Sequence, residues 1–243
     1  MKLQENTILI TGATSGIGRA LASKLQQLGN QVIVCGRRPD RLAQLAEQHP
    51  GIKTRTCDVS VPQEREALWE WVQEKFPETN ILINNAGIQL VADLMRPVNM
   101  ERIRSEVEIN FIAPLHLASL FSGMLSAQTR SAIVNISSGL AFAPIAFMPV
   151  YCATKAAIHS LTLSLRHQLK DTAVQVFEII PPSVDTELGQ ERRPDNQSHG
   201  GMELSIFTDL AIAALQNDQL EATIGQSAWI RGNPDEAFRQ MNR

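Results

Sequence analysis

Residues 7–20, TILITGATSGIGRA, join a short aliphatic run to three glycines and then to helix-forming residues. The run TILIT predicts a first β-strand. Gly12, Gly16 and Gly18 allow the sharp turn and the close backbone approach that a strand-to-helix junction over a ligand requires. The helix that follows offers unpaired backbone N–H groups and its positive dipole end to a phosphate. The spacing G-x-x-x-G-x-G, without a following Lys-Ser/Thr, excludes a P-loop and favours a dinucleotide site.

The remainder of the chain alternates in the same way between short apolar runs and longer helical stretches. Strands are predicted at 7–11, 31–36, 53–59, 80–87, 131–138, 173–180 and, weakly, 221–225; helices are predicted near 16–28, 39–48, 62–75, 99–127 and 151–170. This alternation is typical of an α/β protein with a doubly wound, Rossmann-type parallel sheet and helices on both faces. No linker or repeat interrupts it, so residues 1–243 are expected to form a single domain.

The composition excludes several classes of function. With 44% hydrophobic residues, 19% charged residues and a net charge of −3, the chain lacks the clustered cations of a nucleic-acid-binding surface. No apolar run is long enough for a signal peptide or a membrane span. The three cysteines have no paired spacing and the five histidines no metal-ligand spacing, so neither disulfides nor a metal is expected. We therefore expect a cytoplasmic protein without nucleic-acid or membrane partners.

The end of the second predicted strand indicates which dinucleotide binds. In such folds an acid at this point holds the ribose 2′-hydroxyl of NAD, whereas an arginine accommodates the 2′-phosphate of NADP. Here Gly36 takes the place of the acid, and Arg37 and Arg38 follow directly. Two cations without a neighbouring acid predict NADP(H). The alternative interpretation is a solvated basic turn.

Tyr151 is the only tyrosine in the chain, and Lys155 follows it by four residues. On a helix this spacing places both side chains on one face. A free phenol has a pKa near 10, and a nearby ammonium group lowers that pKa by stabilising the phenolate. The pair is then suited to giving a proton to a carbonyl oxygen or taking one from an alcohol. The alternative is a packing tyrosine beside a surface lysine.

Two further positions fit the same chemistry. Ser138 ends a predicted strand, where its hydroxyl could bind a substrate oxygen; Ser137 is the competing candidate, since neighbours on a strand point to opposite faces. Pro114 has no N–H, so the carbonyl of Asn110, four residues earlier, is predicted to lack its helical partner and to bind a water that passes protons to Lys155. The alternative for Asn110 is a simple helix kink.

Taken together, these residues resemble the short-chain dehydrogenase/reductase family, in its compact branch, over about residues 5–190. The resemblance rests on TGATSGIG (11–18), CDV (57–59), NNAG (84–87), Asn110, Ser138 and YCATK (151–155). The segments SGLAF, VYCATKAAIHSLTLSLRHQL and PPSVDT are most similar to DltE-like oxidoreductases. The resemblance implies a Rossmann-type fold and a homodimer or homotetramer.

The resemblance also implies a set of cofactor-binding residues in the glycine turn, after the second, third and fourth strands, in the catalytic helix and in PPSVDT (181–186). Asp58 and Val59 would border the adenine, Lys155 would also hold the nicotinamide ribose, and Val184 and Thr186 would hold the nicotinamide amide. The complete expected set is Gly12, Thr14, Ser15, Gly16, Ile17, Gly18, Arg37, Arg38, Asp58, Val59, Asn85, Ala86, Gly87, Tyr151, Lys155, Pro181, Val184 and Thr186.

These expectations combine into one functional hypothesis. The chain is predicted to be an NADP(H)-dependent oxidoreductase that transfers hydride between nicotinamide and a small-molecule carbonyl or secondary alcohol, with Asn110, Ser138, Tyr151 and Lys155 as catalytic residues. Residues 139–150 predict an apolar substrate if they border the pocket, or they merely cover the core. Residues 187–208 are either a substrate lid or a surface loop. Alternative functions are a non-catalytic, dinucleotide-binding redox regulator and an epimerase or dehydratase on the same fold.

Overall fold

The computed structural model describes residues 1–189 and 200–243, and its centre is one sheet of seven parallel strands. The strands are β1 Thr7–Thr11, β2 Gln31–Gly36, β3 Lys53–Thr56, β4 Thr79–Asn84, β5 Ser131–Ile136, β6 Val174–Ile180 and β7 Glu221–Thr223. Their order across the sheet is β3-β2-β1-β4-β5-β6-β7. The direction of winding reverses between β1 and β4, which is where ligands bind in open α/β sheets. The predicted doubly wound fold is confirmed.

Nine α-helices occur in the described part of the chain. They are α1 Gly16–Gln27, α2 Pro39–Gln48, α3 Pro62–Lys75, α4 Met100–Val107, α5 Ala113–Ser126, α6 Pro149–Gln168, α7 Leu204–Gln216, α8 Gln226–Gly232 and α9 Pro234–Met241. Several of the boundaries have a clear local cause. Proline occupies the first position of α2, α3 and α6, where a missing N–H costs nothing. Gly29, with φ +86°, follows the end of α1.

The helices cover both faces of the sheet with separate apolar layers. On one face, Leu21 of α1, Leu42 of α2 and Phe207 of α7 pack in one cluster with alternate residues of the strands. On the other face, Leu68 of α3 and Phe121 of α5 belong to the second cluster. The central strands are buried along their whole length, which explains why their sequences are almost continuously apolar.

Strands β3, β4, β5 and β6 begin or end within one to three residues of the predicted bounds, and three of them stop short at the carboxyl end. The polar ends that the sequence analysis assigned to strands, such as 85–87 and 137–138, lie in the loops that follow. Helices α7, α8 and α9 were not predicted. Of the predicted lid 187–208, residues 204–208 form the first turn of α7 with Phe207 and Thr208 buried, and residues 190–199 lie outside the described part. The lid itself stays a prediction.

The helical region from Met100 to Ser126 contains an irregular turn. Residues Glu108–Ile112 form one π-helical turn between α4 and α5, and Pro114 follows in the first turn of α5. A π turn is the expected adjustment where proline removes an i→i−4 hydrogen bond. By length and apolar composition alone this region is long enough to cross a membrane. Its apolar residues are accounted for by the core, because Leu117, Phe121 and Leu125 are fully or almost fully buried against the sheet.

A row of polar residues crosses four neighbouring strands beneath α6. Asn84, Asn135, Glu178 and Glu221 are register partners on β4, β5, β6 and β7, so their side chains lie on the same face of the sheet. Asn84 Nδ2 donates to Asn135 Oδ1 (2.9 Å), and Asn135 Nδ2 donates to Thr162 Oγ1 of α6 (2.9 Å). The helix that carries the predicted catalytic pair is thus attached to the sheet by hydrogen bonds as well as by apolar packing.

Candidate active site

Tyr151 and Lys155 lie in the first two turns of α6, at the carboxyl edge of the sheet. Both are buried, with 6% and 5% of their surfaces exposed. The Lys155 Nζ atom is 5.6 Å from the centroid of the Tyr151 ring and donates a hydrogen bond to the Ile136 carbonyl at the end of β5 (2.9 Å). A surface lysine beside a packing tyrosine, the alternative considered above, does not describe this pair, because the lysine is buried and its ammonium is hydrogen-bonded to the sheet.

Burial sets the protonation of Lys155. Removal from water lowers the pKa of its ammonium group from 10.5 to about 8, although the negative charges of Glu178 and Glu106 oppose the shift. At neutral pH the group therefore keeps its charge, but it gives up a proton far more readily than a surface lysine. Both acids are fully buried, and Glu106 Oε1 accepts a hydrogen bond from the Leu90 backbone N–H (2.8 Å).

The Asn110 side chain joins the loop after β4 to α6. Its Oδ1 accepts from the Ile88 N–H (2.9 Å), and its Nδ2 donates to the Ile88 carbonyl (2.9 Å) and to Thr154 Oγ1 (3.2 Å). A Cβ atom built on Gly87 would lie 3.4 Å from Asn110 Oδ1 and 3.8 Å from Lys155 Nζ. Three residues singled out from separate parts of the sequence, Gly87, Asn110 and Lys155, are therefore neighbours. Asn110 lies inside the π turn described above, and the residue four positions later is Pro114, in the first turn of α5.

The two candidate serines follow directly after β5. Ser138 Oγ accepts a hydrogen bond from the Leu140 N–H (3.1 Å), which leaves its own O–H to donate, and 8% of the residue is exposed. Ser137 is 2% exposed, and its Oγ has no hydrogen-bond partner among the described residues. Ser138 is thus the more accessible hydroxyl. Its choice as the catalytic serine stays a prediction.

The glycine turn is packed against the loop after β4 so closely that side chains would not fit. A Cβ on Gly12, which has φ +69°, would lie 2.6 Å from the Ala86 Cα, and one on Gly18 would lie 2.3 Å from Asn85 Nδ2. Asn85 Nδ2 in turn donates to the Thr11 carbonyl (2.9 Å). The predicted cofactor residues of the two loops are therefore in direct contact at the point where the sheet winding reverses.

The same turn also contacts two other predicted cofactor segments. A Cβ on Gly36 would lie 2.6 Å from Thr14 Cγ2, and a Cβ on Gly16, which has φ +54°, would lie 3.3 Å from the Thr186 Cβ. In the segment after β6, the Pro181 carbonyl accepts from the Gly139 N–H (3.0 Å), and Val184 forms an isolated bridge with Met202. The segment after β6 therefore also touches the residues that follow Ser138.

The residues predicted to border the adenine make contacts within their own turn or with the core. Asp58 Oδ1 accepts from the Ser60 N–H (2.9 Å) and so caps the turn after β3, and Val59 is 7% exposed. Ile17, inside the first turn of α1, packs partly against the core. These contacts hold the turn and the helix start, and the roles of Asp58, Val59 and Ile17 toward a cofactor stay predictions.

Arginine side chains gather beside the glycine turn. Arg38 donates to Thr14 Oγ1 and, over 2.7 Å, to Ser15 Oγ, and it forms an ion pair with Glu187 (3.3 Å). Arg41, one turn further along α2, pairs with the same carboxylate (2.5 Å). Partial burial would raise the pKa of Glu187, but the hydrogen bonds and charges of Arg41 and Arg38 outweigh it and hold that pKa below its ordinary value.

The sequence analysis expected Arg37 and Arg38 to bind the 2′-phosphate, and the structure places these two side chains differently. Arg37 is exposed, and Arg38 reaches into the glycine turn. Sequence reasoning did not single out Arg41 or Glu187. Arg41 lies three residues after Arg38 and hence on the same side of α2, which a search for helical spacing would have found. Glu187 carried no such signal, because its partners are about 150 residues away in the chain.

Comparison with known proteins gives a consistent result. The model of the short chain dehydrogenase family matches residues 6–197. The chain is 45% identical over 249 residues to "Uncharacterized oxidoreductase DltE" of Bacillus subtilis, covering all of this chain and 98% of that protein. It is 35% identical over 188 residues to an uncharacterized oxidoreductase of Staphylococcus epidermidis, covering 77% and 81% of the two chains.

Solved structures show the same architecture. A short-chain dehydrogenase from Sphingobium yanoikuyae, in complex with NADPH, superposes with a TM-score of 0.84 at 27% identity, over 97% of this chain and 94% of that one. A short-chain dehydrogenase/reductase from Burkholderia phymatum, in complex with NAD, superposes with a TM-score of 0.86 at 23% identity, over 100% and 97%. The second likeness supports the fold alone.

Proposed function

The chain belongs to the short-chain dehydrogenase family, close to DltE, and from that premise we propose that it is an NADP(H)-dependent oxidoreductase acting on a carbonyl or secondary alcohol. The observation that carries the proposal is the buried Tyr151–Lys155 pair beside Gly87 and Asn110. Burial of an ammonium group is costly. A lysine in this position therefore calls for a function, and proton transfer at the neighbouring phenol is the chemistry that the pair suits best.

The residues around the glycine turn fit a dinucleotide. Gly12 and Gly18 let the turn pack directly against Ala86 and Asn85 of the loop after β4, and the first turn of α1, whose N-cap Ser15 makes no side-chain capping bond, offers its N–H groups to a phosphate. The turn, Asn85 to Gly87 and Thr186 would hold the cofactor, together with Lys155 at its reactive end. A bound nicotinamide dinucleotide supplies or accepts the hydride.

The chain's own side chains manage the proton and the substrate oxygen. The Tyr151 hydroxyl donates a proton to the substrate oxygen during reduction and takes it back during oxidation. The Lys155 ammonium stabilises the negative charge left on the phenol oxygen. Ser138, whose O–H is left to donate, binds the same substrate oxygen. Asn110 holds the Ile88 backbone and Thr154 in place and so positions α6.

We propose NADP(H) over NAD(H) on the strength of the donors beside the glycine turn. Arg38 contacts the hydroxyls of Thr14 and Ser15, and the positive charges of Arg38 and Arg41 already attract a carboxylate, that of Glu187. A 2′-phosphate carries more charge than a carboxylate and suits the planar, bidentate arginine group well. The NADPH bound to the relative from Sphingobium yanoikuyae is consistent with this preference.

The environment of Tyr151 favours an apolar substrate. Met148 and Cys152 pack with its ring in one buried cluster, and Leu140 and Ile145 pack against that cluster. All but Cys152 belong to the segment between Ser138 and Tyr151, which the sequence analysis assigned to the pocket. An uncharged aldehyde or ketone with a hydrophobic substituent is the substrate class that such surroundings favour.

The test measures NADPH consumption by the purified protein with a series of aldehydes, ketones and quinones. We expect turnover with apolar carbonyls, and in Tyr151→Phe we expect NADPH binding to persist while turnover falls by about a thousandfold or more, since only the acid–base hydroxyl is removed. If the protein binds NADPH but turns over none of these substrates, and Tyr151→Phe does not change NADPH binding, the non-catalytic redox regulator is indicated instead.

A further inference from the structure

Three potential metal ligands converge outside the candidate active site, on the outer part of the sheet. His159 of α6, Glu178 of β6 and Glu221 of β7 place one donor atom each within 4.8 Å of one another. Glu178 and Glu221 are register partners on adjacent strands, and His159 lies one helical turn after Lys155. The three side chains thus come from three rigid elements, which is how precise sites are built.

Glu178 is the most unusual member of this group. The residue is fully buried, and its Oε2 lies 2.8 Å from His159 Nδ1. Its Oε1 is also buried, yet it has no hydrogen-bond partner among the described residues. A buried carboxylate oxygen without a partner is energetically unfavourable and rare in native proteins. This oxygen is therefore available to coordinate a cation.

The site has a route from solvent, and a cationic side chain acts on each carboxylate, Lys155 on Glu178 and Arg231 on Glu221. Arg231 of α8 pairs with Glu221 (3.0 Å) and so balances one of the two carboxylates. The side chains of His159 and Glu221 are 18% and 28% exposed, so the site opens on the side away from Glu178. The Phe142 ring packs edge-on against His159, with centroids 4.8 Å apart, and this contact holds the imidazole in its orientation.

We propose that His159, Glu178 and Glu221 bind one divalent transition-metal cation. One imidazole nitrogen and two carboxylate oxygens form a donor set that suits Zn²⁺ better than the oxygen-preferring Mg²⁺. Bonds of about 2.0–2.2 Å require neighbouring donors about 3–4 Å apart. The donors lie within 4.8 Å of one another, and the partly exposed Glu221 would close the remaining gap by exchanging its ion pair with Arg231 for the metal.

The bound cation would link α6, the helix that carries the candidate catalytic pair, to β6 and β7. None of its three ligands is proposed to contact the substrate or the cofactor, so the metal would hold the elements together and take no direct part in the reaction. Binding of Zn²⁺ is measured without cofactor or substrate, so a failure of this proposal and a failure of the proposed function are distinguishable.

The experiment titrates Zn²⁺ into the full-length protein after removal of metals with a chelator, and measures heat of binding and thermal unfolding. We expect one Zn²⁺ per chain, a rise in melting temperature, and weaker binding of Mg²⁺. In Glu221→Gln and His159→Asn we expect affinity for Zn²⁺ to fall at least tenfold. The asparagine amide keeps a donor near Glu178, so His159→Asn removes the imidazole ligand while sparing the hydrogen bond.

The matched control is Glu236→Gln, which removes one exposed carboxylate on α9, outside the three-ligand cluster, and should bind Zn²⁺ like the wild type. The proposal is overturned by a wild-type protein that takes up no Zn²⁺, or by both variants binding it within threefold of the wild type. If His159→Asn does not fold, Glu221→Gln alone decides, since Glu221 is partly exposed and its replacement keeps the side-chain shape.

Discussion

Lys155 is a buried ammonium group whose nearest hydrogen-bond acceptor is a backbone carbonyl, that of Ile136. Burial lowers its pKa to about 8, whereas in the unfolded chain the value is 10.5. Between these two values the unfolded chain binds more protons than the folded one, so the stability of the fold rises with pH across this window. Below about pH 8 the cost of the buried charge is present in full.

We therefore expect Lys155→Met to stabilise the protein at neutral pH, by up to about 3 kcal/mol if the whole pKa shift is recovered. The gain should shrink as the pH is raised from about 8 toward 10.5, because the wild-type lysine loses its charge there. Urea unfolding at pH 7 and pH 10 measures both values. A destabilised variant at pH 7 would show that the ammonium contributes more through its hydrogen bond than its burial costs.

Arg38 and Arg41 hold one carboxylate, Glu187, between them beside the glycine turn. The charge of Glu187 lies where the 2′-phosphate of NADP is proposed to bind, so the two anions compete for the same donors. Since a charge-assisted hydrogen bond contributes about 1.5–3 kcal/mol, each arginine contact is large enough to set cofactor preference.

The resulting prediction concerns affinity for the two dinucleotides. Arg38→Ala should weaken NADPH binding about 10- to 100-fold and change NADH binding little, whereas the exposed Arg37→Ala should have a smaller effect. Glu187→Gln should tighten NADPH binding, because a competing charge is removed. Fluorescence titrations at low salt test all three. Equal loss of NADPH and NADH affinity in Arg38→Ala would assign Arg38 to the shared part of the cofactor.

Helix α1 begins directly in the glycine turn, and its packing against the loop after β4 depends on the absence of side chains. The contrast with α5 is useful, because Gly123 also lies inside a helix, yet a Cβ there would meet nothing within 4 Å. In an open position alanine is favoured over glycine by about 0.5–1 kcal/mol through its helix propensity.

Gly18→Ala and Gly123→Ala should accordingly change stability in opposite directions. The first places a Cβ 2.3 Å from Asn85 Nδ2 and 2.8 Å from the Gly12 carbonyl. It should therefore destabilise the fold by about 1–3 kcal/mol and weaken dinucleotide binding. The second should be neutral or stabilising and leave binding intact. Chemical denaturation and NADPH titration of both variants give the answer, and equal behaviour of the two would refute the proposed close approach.

Helix α6 shows how one element serves both the fold and the site. Four side chains on its inward side are hydrogen-bonded to backbone or side-chain atoms of strands β5 and β6: Lys155, His159, Thr162 and Arg166. Polar attachment of this kind fixes the rotation of the helix about its axis more strictly than apolar contacts do, because hydrogen bonds are directional. The position of Tyr151 at the start of the same helix is fixed with it.

The molecule presents large apolar side chains on its outer surface. Leu115 of α5 and Leu163 of α6 are 40% and 45% exposed, on two helices of the same face of the sheet. We expect the chain of 26.8 kDa to assemble as a homodimer or homotetramer, as its resemblance implies. Light scattering coupled to size-exclusion chromatography measures the mass directly, and Leu115→Glu should dissociate the assembly if α5 is in the contact. A monomeric wild type would contradict this expectation.

The alternation of strands and helices, the glycine turn and the spacing of Tyr151 and Lys155 were readable from the sequence because each depends on neighbouring residues. Helix and strand periodicity, proline positions and glycine conformation are local properties. They predicted the sheet and most helices, and they singled out Gly87, Asn110 and Lys155, which the fold brings together. Helix α7 was missed because its start was assigned to the lid or loop 187–208, and the short helices α8 and α9 were missed because such helices are stabilised by tertiary packing more than by their own pattern.

Only the tertiary structure decided which distant residues meet. The burial of Lys155, the pairing of Glu187 with Arg38 and Arg41, and the cluster of His159, Glu178 and Glu221 join segments up to about 150 residues apart. Their spacing in the chain carries no information on contact, because strand order and helix packing determine it. The shift of the Lys155 pKa has the same origin, since it arises from the removal of water by the surrounding fold.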